Sequence, residues 1–494
     1  MVESSQVSDA RYDDHGERHP ARATAISIAA AVGGFLFGFD TSVINGAVDA
    51  ITDNFKLGSG VTGIVVAIAL IGSAVGAWFA GNLADRWGRP RVMLFGAALF
   101  LVSSIGSGLA FSTWDLGLWR FIGGLGIGVA SVIGPTYISE VAPASLRGRL
   151  ASLQQLAIVL GIFVALLSDA WLAAGPDGAL TTKLFGLAAW RWMFLVGVVP
   201  SVIYGLLSLS IPESPRYLVS KGRKASAFKV LRRVLGETPD QVNTRIDDMT
   251  KSMVREDRAS FTDLRGKRFG LLPLVWVGIL LAAFQQLVGI NVIFYYSTSL
   301  WQSVGFAESF SYTASVITSV TNVVVTVVAI LLVDRIGRRR LLLIGSVGMF
   351  LTLGVMALGF AQATLVPDAD GVLAPQLSGF WGVATLIAAN LFVVFFGASW
   401  GPVMWVLLGE MFPNSIRAMA MAIATAANWI FNFIITVTFP PLRDLSLGLT
   451  YGLYALFALL SFFFVLAKIP ETKGMELEDM SMDTMTRHKR GAAA

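Results

Sequence analysis

An aspartate inside an apolar helix is a candidate for proton chemistry, and this chain places one, Asp40, within GFLFGFDTSVING (residues 34–46). Near the centre of a membrane helix an aspartate costs about 2.5–3.5 kcal/mol on insertion scales, so it must face a cavity or a partner. Counted from Thr24, Asp40 stands about 24 Å along its helix, and Arg120, about eight residues into a later segment of opposite direction, lies about 12 Å deep from the other end. The two heights are comparable, which makes Arg120 the expected partner. Burial disfavours the charged carboxylate and a neighbouring guanidinium favours it, so a change in their separation would load and unload a proton. The competing account is a permanent Asp40–Arg120 ion pair bracing two helices. His15, His19 and His488 all lie in polar tails, which leaves Asp40 as the candidate proton carrier of the first half of the chain.

A second set of residues suits a different chemistry. Gln154 and Gln155, then Gln285, Gln286 and Asn291, then Asn322 and Asn428, are amides inside apolar segments. Amides both donate and accept hydrogen bonds without net charge, which fits a neutral polyhydroxylated ligand. In hydrocarbon they are costly without partners. Trp405 offers an apolar face to a pyranose ring. Interhelical hydrogen bonding is the competing account for any one of the amides, Asn322 above all. On a straight helix Gln286 and Asn291 point about 140° apart, so a shared cavity requires an irregular helix, and Gly289 lies between them. A broken helix at that depth is tolerated where it lines a cavity. Asn291 and Tyr295, four residues apart, share a face.

These side chains need a scaffold, and composition identifies its solvent. The chain has 494 residues, 55% hydrophobic and 14% charged, where soluble domains average about a quarter charged. Apolar runs of about 20 residues or more match a hydrocarbon core of about 30 Å. The expected spans are 24–50, 61–84, 92–112, 115–139, 150–171, 188–211, 271–301, 309–333, 341–363, 379–409, 418–440 and 446–469, giving an all-α membrane protein of twelve helices. The first 23 residues are polar and lack a cleavage pattern, so the first helix is expected to be retained. There is no cysteine, which excludes disulfides and thiolate metal sites.

Lys and Arg fall on one side. Loops after even-numbered segments carry DRWGRPR (85–91), LRGR (146–149), DRIGRRR (334–340) and the basic stretch 212–270, whereas Lys56 is the only such residue in the first odd-numbered loop. By the positive-inside rule the even loops and both termini are cytoplasmic. Basic patches of this kind are topology anchors, and no nucleic-acid partner is expected. The pattern also repeats: DRWGRPR recurs as DRIGRRR, SEVAPASLRGR (139–149) as GEMFPNSIRAM (409–419), and PESPR (212–216) as PETKG (470–474), at offsets of 249, 270 and 258 residues. Two six-helix halves, 24–211 and 271–469, are expected, with a cytoplasmic tail at 1–23, a linker of short amphipathic helices at 212–270 and a second tail at 470–494. The larger middle offset is assigned to a longer external loop around 364–378. Parallel six-helix halves suit alternating access to a midplane site. Glu140 with Arg147 and Glu410 with Arg417 bracket helix ends that contain Pro143 and Pro413. Asp85, Arg86, Arg89 and Arg91, with Asp334, Arg335, Arg338, Arg339 and Arg340, supply charge partners. Such clusters are expected to lock the cytoplasmic side when it is closed and to separate when it opens; static anchoring is the competing account.

At GNLADRWGR (81–89), DRIGRR (334–339), PESPRYL (212–218), RFIGGLGIG (120–128), QQLVGIN (285–291), WGPVMWV (400–406) and PETKG (470–474) the chain closely resembles the sugar porter family of the major facilitator superfamily. The resemblance runs over nearly the whole chain. It implies that Gln155, Gln285, Gln286, Asn291, Trp405 and Asn428 contact a sugar, with Tyr295 and Tyr296 closing over it, and that Asp40 carries a proton as in proton-coupled members. Asn322 joins the candidate binding residues. Glu213, Arg216 and Glu471 join the cytoplasmic network. Pro90 stands where the family usually has a second Arg, and Arg91 is expected to take over its contacts.

The sequence therefore reads as a proton-coupled monosaccharide importer of the cell membrane, for a hexose or pentose such as glucose or xylose, acting as a monomer with no cofactor or metal. A facilitative sugar or polyol uniporter is the alternative, and a transporter-like sugar sensor is a second, from another class. GGLGIGVAS (123–131) is read as helix packing rather than a dinucleotide loop, and P-loop, HExxH and GxSxG motifs are absent, so no enzyme site is expected.

Overall fold

The computed structural model describes residues 20–142, 147–255, 264–266, 270–367, 373–377, 379–413 and 416–471. Both polar tails fall largely outside these ranges. Although their backbones are helical, the side chains of Arg147, Asp334 and Arg417 also lie outside the description.

Among the described residues twelve helical segments are long and apolar enough to cross a bilayer. The first consists of α1 (Pro20–Ser42) and α2 (Ile44–Phe55), which meet at Val43. There the sequence Asp-Thr-Ser competes with the helix ladder: Thr41 Oγ1 donates to the carbonyls of Phe37 at 2.8 Å and Gly38 at 3.2 Å, a back-bonding that loosens helices locally. Next come α3 (Ser59–Trp87), α4 (Arg89–Leu109), α5 (Thr113–Val141) and α6 (Arg147–Leu172), then a sixth span split at Gly197 into α7 (Ala189–Val196) and α8 (Val198–Ser210). Three short helices follow in the linker, α9 (Pro215–Ser220), α10 (Lys224–Leu235) and α11 (Pro239–Arg255). Their apolar faces form a small core with Ala23 and Ile26 of α1.

The second half repeats the plan with α12 (Pro273–Leu287), α13 (Ile290–Gln302), α14 (Glu308–Ile336), α15 (Arg338–Ala361), α16 (Gly379–Ala398), α17 (Trp400–Met411), α18 (Arg417–Leu445) and α19 (Leu447–Lys468). The loop expected around 364–378 contains an antiparallel hairpin, β1 (Thr364–Pro367) on β2 (Leu373–Gln376), so the all-α reading holds for the membrane helices and not for this connection. Within the first half, α3 and α5 touch backbone to backbone. A Cβ at Gly72, Gly76, Gly124 or Gly128 would overlap a carbonyl oxygen of the facing helix, which accounts for GGLGIGVAS as a packing surface of the small-residue kind.

The break expected in the seventh span is present. Gly289 lies between α12 and α13 with φ 80° and ψ 22°, a left-handed conformation costing other residues about 1–2 kcal/mol. A Cβ there would stand 2.6 Å from the Tyr454 ring, adding overpacking of about 1–3 kcal/mol. Gly289→Ala is therefore expected to lower the stability of the purified protein by about 2–4 kcal/mol in thermal unfolding and to impair uptake. Unchanged unfolding and uptake would show that the break is dispensable.

Candidate functional site

Asp40 on α1 and Arg120 on α5 meet inside the first half. Arg120 Nη1 donates to Asp40 Oδ2 at 3.2 Å and to the Asp40 carbonyl at 3.0 Å, and the two residues are 6% and 1% exposed. The guanidinium lies 5.8 Å from the centre of the Phe194 ring, and its Nε has no hydrogen-bond partner among the described residues. The pair is buried and under-satisfied, an arrangement in which the Coulombic gain barely offsets desolvation. Such a pair is easily undone by adding a proton to the carboxylate.

In the second half four of the expected amides form one hydrogen-bonded chain across the broken span. Asn291 Nδ2 donates to Gln286 Oε1 at 2.7 Å; Gln286 Nε2 donates to Gln285 Oε1 and to Asn428 Oδ1, both at 3.2 Å. Asn428 Nδ2 donates to Gln285 Oε1 at 2.7 Å, and Gln285 Nε2 reaches the Trp400 carbonyl at 3.2 Å. The turn at Gly289 is what brings Gln286 and Asn291 to one side. One helical turn beyond Asn291, Tyr295 hydrogen-bonds the Asn432 side chain and lies within electrostatic reach of both Asp40 and Arg120. Tyr295 thus places α13, which carries Asn291, within electrostatic reach of the ion pair across the interface of the halves.

Other expected residues stand apart from this chain. Asn322 is buried on α14 beside Gly397 of α16, outside the hydrogen-bonded amide chain. Tyr296 donates to the Thr436 carbonyl at 3.0 Å and packs on Phe439 within its own half. Gln155 is half-buried, and its neighbour Gln154 is packed against Gly34 and Gly134. Trp405 is 37% exposed.

The charge clusters occupy one end of the molecule, the basic end, and they duplicate atom for atom. Arg89 grips Glu140 with Nε at 3.0 Å and Nη2 at 2.9 Å, while its backbone N–H donates to Glu213 at 3.0 Å. Arg338 grips Glu410 with Nε at 3.2 Å and Nη2 at 2.9 Å, while its N–H donates to Glu471 at 2.9 Å. These three correspondences have the same offsets, 249, 270 and 258, that the motifs show. Gly88 and Gly337 make the turn before each helix at φ 89° and 98°, and a Cβ at either would strike the capping glutamate. Burial pushes the Glu213 carboxyl above its ordinary value, against the lowering effect of its backbone donors. In the second half Arg339 N also donates to Glu471, at 3.2 Å. Pro90 has no N–H to offer at the matching place, but in the first helical turn that loss is tolerated. Arg91 is exposed, so the expectation that it takes over the missing contacts gives way to Arg89 carrying the network.

These grips lie within each half, α4 to α5 and α15 to α17. In this conformation the described grips brace each half internally. Among the described residues, hydrogen bonds that join the halves lie at the opposite end. Asn45 on α2 donates to the Phe294 carbonyl at 2.9 Å and to Ser297 Oγ at 2.8 Å, and accepts from the Thr298 N–H at 3.1 Å and from Thr298 Oγ1 at 2.6 Å. Ser299 Oγ donates to Asp49 at 2.7 Å, Tyr312 Oη to the Gly46 carbonyl at 2.6 Å, and the Ala179 N–H to Glu308 at 3.0 Å. The molecule is closed at the end opposite the basic loops. Asn45 escaped the sequence reading although it stands five residues after Asp40 in the same apolar segment; the cost of an amide in lipid, which singled out Gln285, applies equally to it. Asn432, one turn after Asn428, was open to the same reasoning.

The sequence pattern described as "Sugar (and other) transporter" matches residues 26–483. The chain is 52% identical over 470 residues to a "Glucose transport protein" of Synechocystis, covering 93% of this chain and 99% of that one. It is 34% identical to a "D-xylose-proton symporter" of Escherichia coli K12, covering 92% and 94%. The inward-open conformation of the xylose transporter XylE from E. coli superposes with a TM-score of 0.78 at 32% identity, covering 93% and 99%. Matched across its twelve spans in sequence and fold, the chain belongs to the sugar (and other) transporter family, a family of membrane transporters and not of enzymes.

Proposed function

We propose that this protein imports a neutral monosaccharide together with a proton, with the basic end and both termini in the cytoplasm. The observation that carries this reading is the uncharged amide chain Gln285–Gln286–Asn291–Asn428, placed beside the Asp40–Arg120 pair through Tyr295. The amides, with Gln155 and Trp405, receive the sugar. Asp40 receives the proton while the external side is open, which releases Arg120. Closure at Asn45 then commits both cargoes, and re-pairing of Asp40 with Arg120 expels the proton on the cytoplasmic side. The conformation described, closed externally with Asp40 paired, is the one that follows proton release. Relatives named for glucose, xylose and arabinose support a hexose or pentose as cargo.

Uptake of labelled glucose, xylose and myo-inositol into proteoliposomes, with and without an inward proton gradient, tests the reading. Accumulation of a monosaccharide above equilibrium only with the gradient is the expected result. Equilibration without accumulation would make the protein a uniporter and Asp40 a structural partner of Arg120.

A further inference from the structure

A second carboxylic acid is buried in the first half, away from Asp40. Asp169, near the external end of α6, is 0% exposed; neither carboxyl oxygen makes a hydrogen bond of good geometry among the described residues, the Gly46 backbone being the one donor that approaches it. It packs directly on Gly46, where an added Cβ would stand 2.7–2.8 Å from its side chain. Gly46 is also the residue whose carbonyl receives Tyr312 Oη from the other half. Asp169 therefore sits against the point where the halves clasp.

The charged groups around it are engaged elsewhere. On α2, Asp49 accepts from Ser299 at 2.7 Å and Asp53 is exposed; on α14, Glu308 accepts the Ala179 N–H at 3.0 Å. Arg443 of α18 bonds Ser299 and Asp444, Arg191 of α7 donates to the carbonyls of Gly108 and Ala110, and Arg120 of α5 holds Asp40 of α1. Among the described residues no cation is paired with Asp169. An ionised carboxylate with no counter-charge and no donor beyond the Gly46 backbone is strongly disfavoured in such a site, whereas the neutral acid is far less costly.

We infer that Asp169 is a second proton-binding group, filled from external water while that side is open and shut in as the neutral acid when the Asn45–Gly46 clasp closes. The step is a simple protonation: carboxylate plus one proton from external water gives the acid, and reopening returns that proton to the same side. The proton is not carried across. Instead, external acid favours the closed clasp, by up to tenfold in population per pH unit over the range where the open-state carboxylate is ionised. This inference rests on the proposed symport cycle for its two conformations.

The test uses the cysteine-free chain with spin labels at Trp114→Cys and Leu445→Cys, exposed residues at the external ends of α5 and α18. Distances are measured from about pH 5 to pH 8 in the Asp40→Asn background, where Asp40 no longer titrates. The expected result is an externally closed population that falls several-fold as pH rises, and that stays within about twofold once Asp169→Asn is added. Asp169→Ser serves if the asparagine variant does not fold. A flat profile with Asp169 present, or an unchanged slope without it, overturns the inference. In proteoliposomes Asp169→Asn alone is expected to keep the accumulation ratio of labelled glucose or xylose; loss of accumulation would mean that its proton is carried. Failure of the wild-type protein to take up either sugar would count against the transport reading alone, since the distance measurement does not depend on cargo.

Discussion

Replacing Asp40 with asparagine is expected to abolish gradient-driven accumulation while sugar still exchanges across the membrane. Asparagine preserves the shape of Asp40 and can still accept from Arg120, but it neither charges nor discharges. With one proton per sugar, a gradient of one pH unit sustains at most about a tenfold concentration ratio, equivalent to about 1.4 kcal/mol; in Asp40→Asn that ratio falls to one. The variant also resembles the protonated state, because it leaves Arg120, 1% exposed, without its counter-charge. Breaking a buried ion pair in this way costs about 3–5 kcal/mol, so the population moves toward conformations in which water reaches Arg120. Initial rates of counterflow, measured at equal pH on both sides, separate the two effects: exchange persists and accumulation does not. An Asp40→Asn protein that still concentrates sugar would remove Asp40 from the coupling mechanism.

The second large effect belongs to Asn45. One side chain supplies hydrogen bonds to Phe294, Ser297 and Thr298, all buried and all across the interface of the halves. In Asn45→Ala the Phe294 carbonyl and the Thr298 N–H lose this buried partner when the clasp is shut, at about 1–3 kcal/mol for each orphaned group, whereas Ser297 Oγ keeps Ser315 and Thr298 Oγ1 keeps the carbonyl of residue 45. When the clasp is open, water satisfies them and the substitution costs little. The difference falls on one conformation only. A net shift of about 3 kcal/mol corresponds to a change of about 150-fold in the ratio of closed to open forms. Spin labels at the external ends of α5 and α18 should report a longer distance, and net uptake should slow because reclosure limits the cycle. An unaltered distance distribution would show that the α3–α18 and α6–α14 contacts hold the closed form without Asn45.

The amide chain shows how far local reasoning reaches. The angular mismatch between Gln286 and Asn291 required a break, and Gly289 was the residue able to make it; the φ of 80° follows from that requirement. Asn322 met the same compositional criterion and yet lies beside Gly397, outside the amide chain, because hydropathy records depth in the membrane but not which face of a helix meets which neighbour. The charge clusters illustrate the same limit. Their duplication is written in the sequence, but whether Arg89 grips Glu140 of its own half or an acid of the other depends on how the halves are tilted.

What the sequence determined by itself was the solvent, the number of spans and the twofold repeat, since burial in lipid acts on each segment independently. It also singled out Asp40 and Arg120 as partners, because depth along a helix is counted in residues at a fixed rise. The tertiary structure alone decided that the molecule is shut at the Asn45 end, that the arginine grips brace each half internally, and that Asp169 is enclosed with no cation paired to it among the described residues. These depend on contacts between residues 51 to more than 250 positions apart, and on one of several packings of nearly equal energy that a transporter must visit in turn.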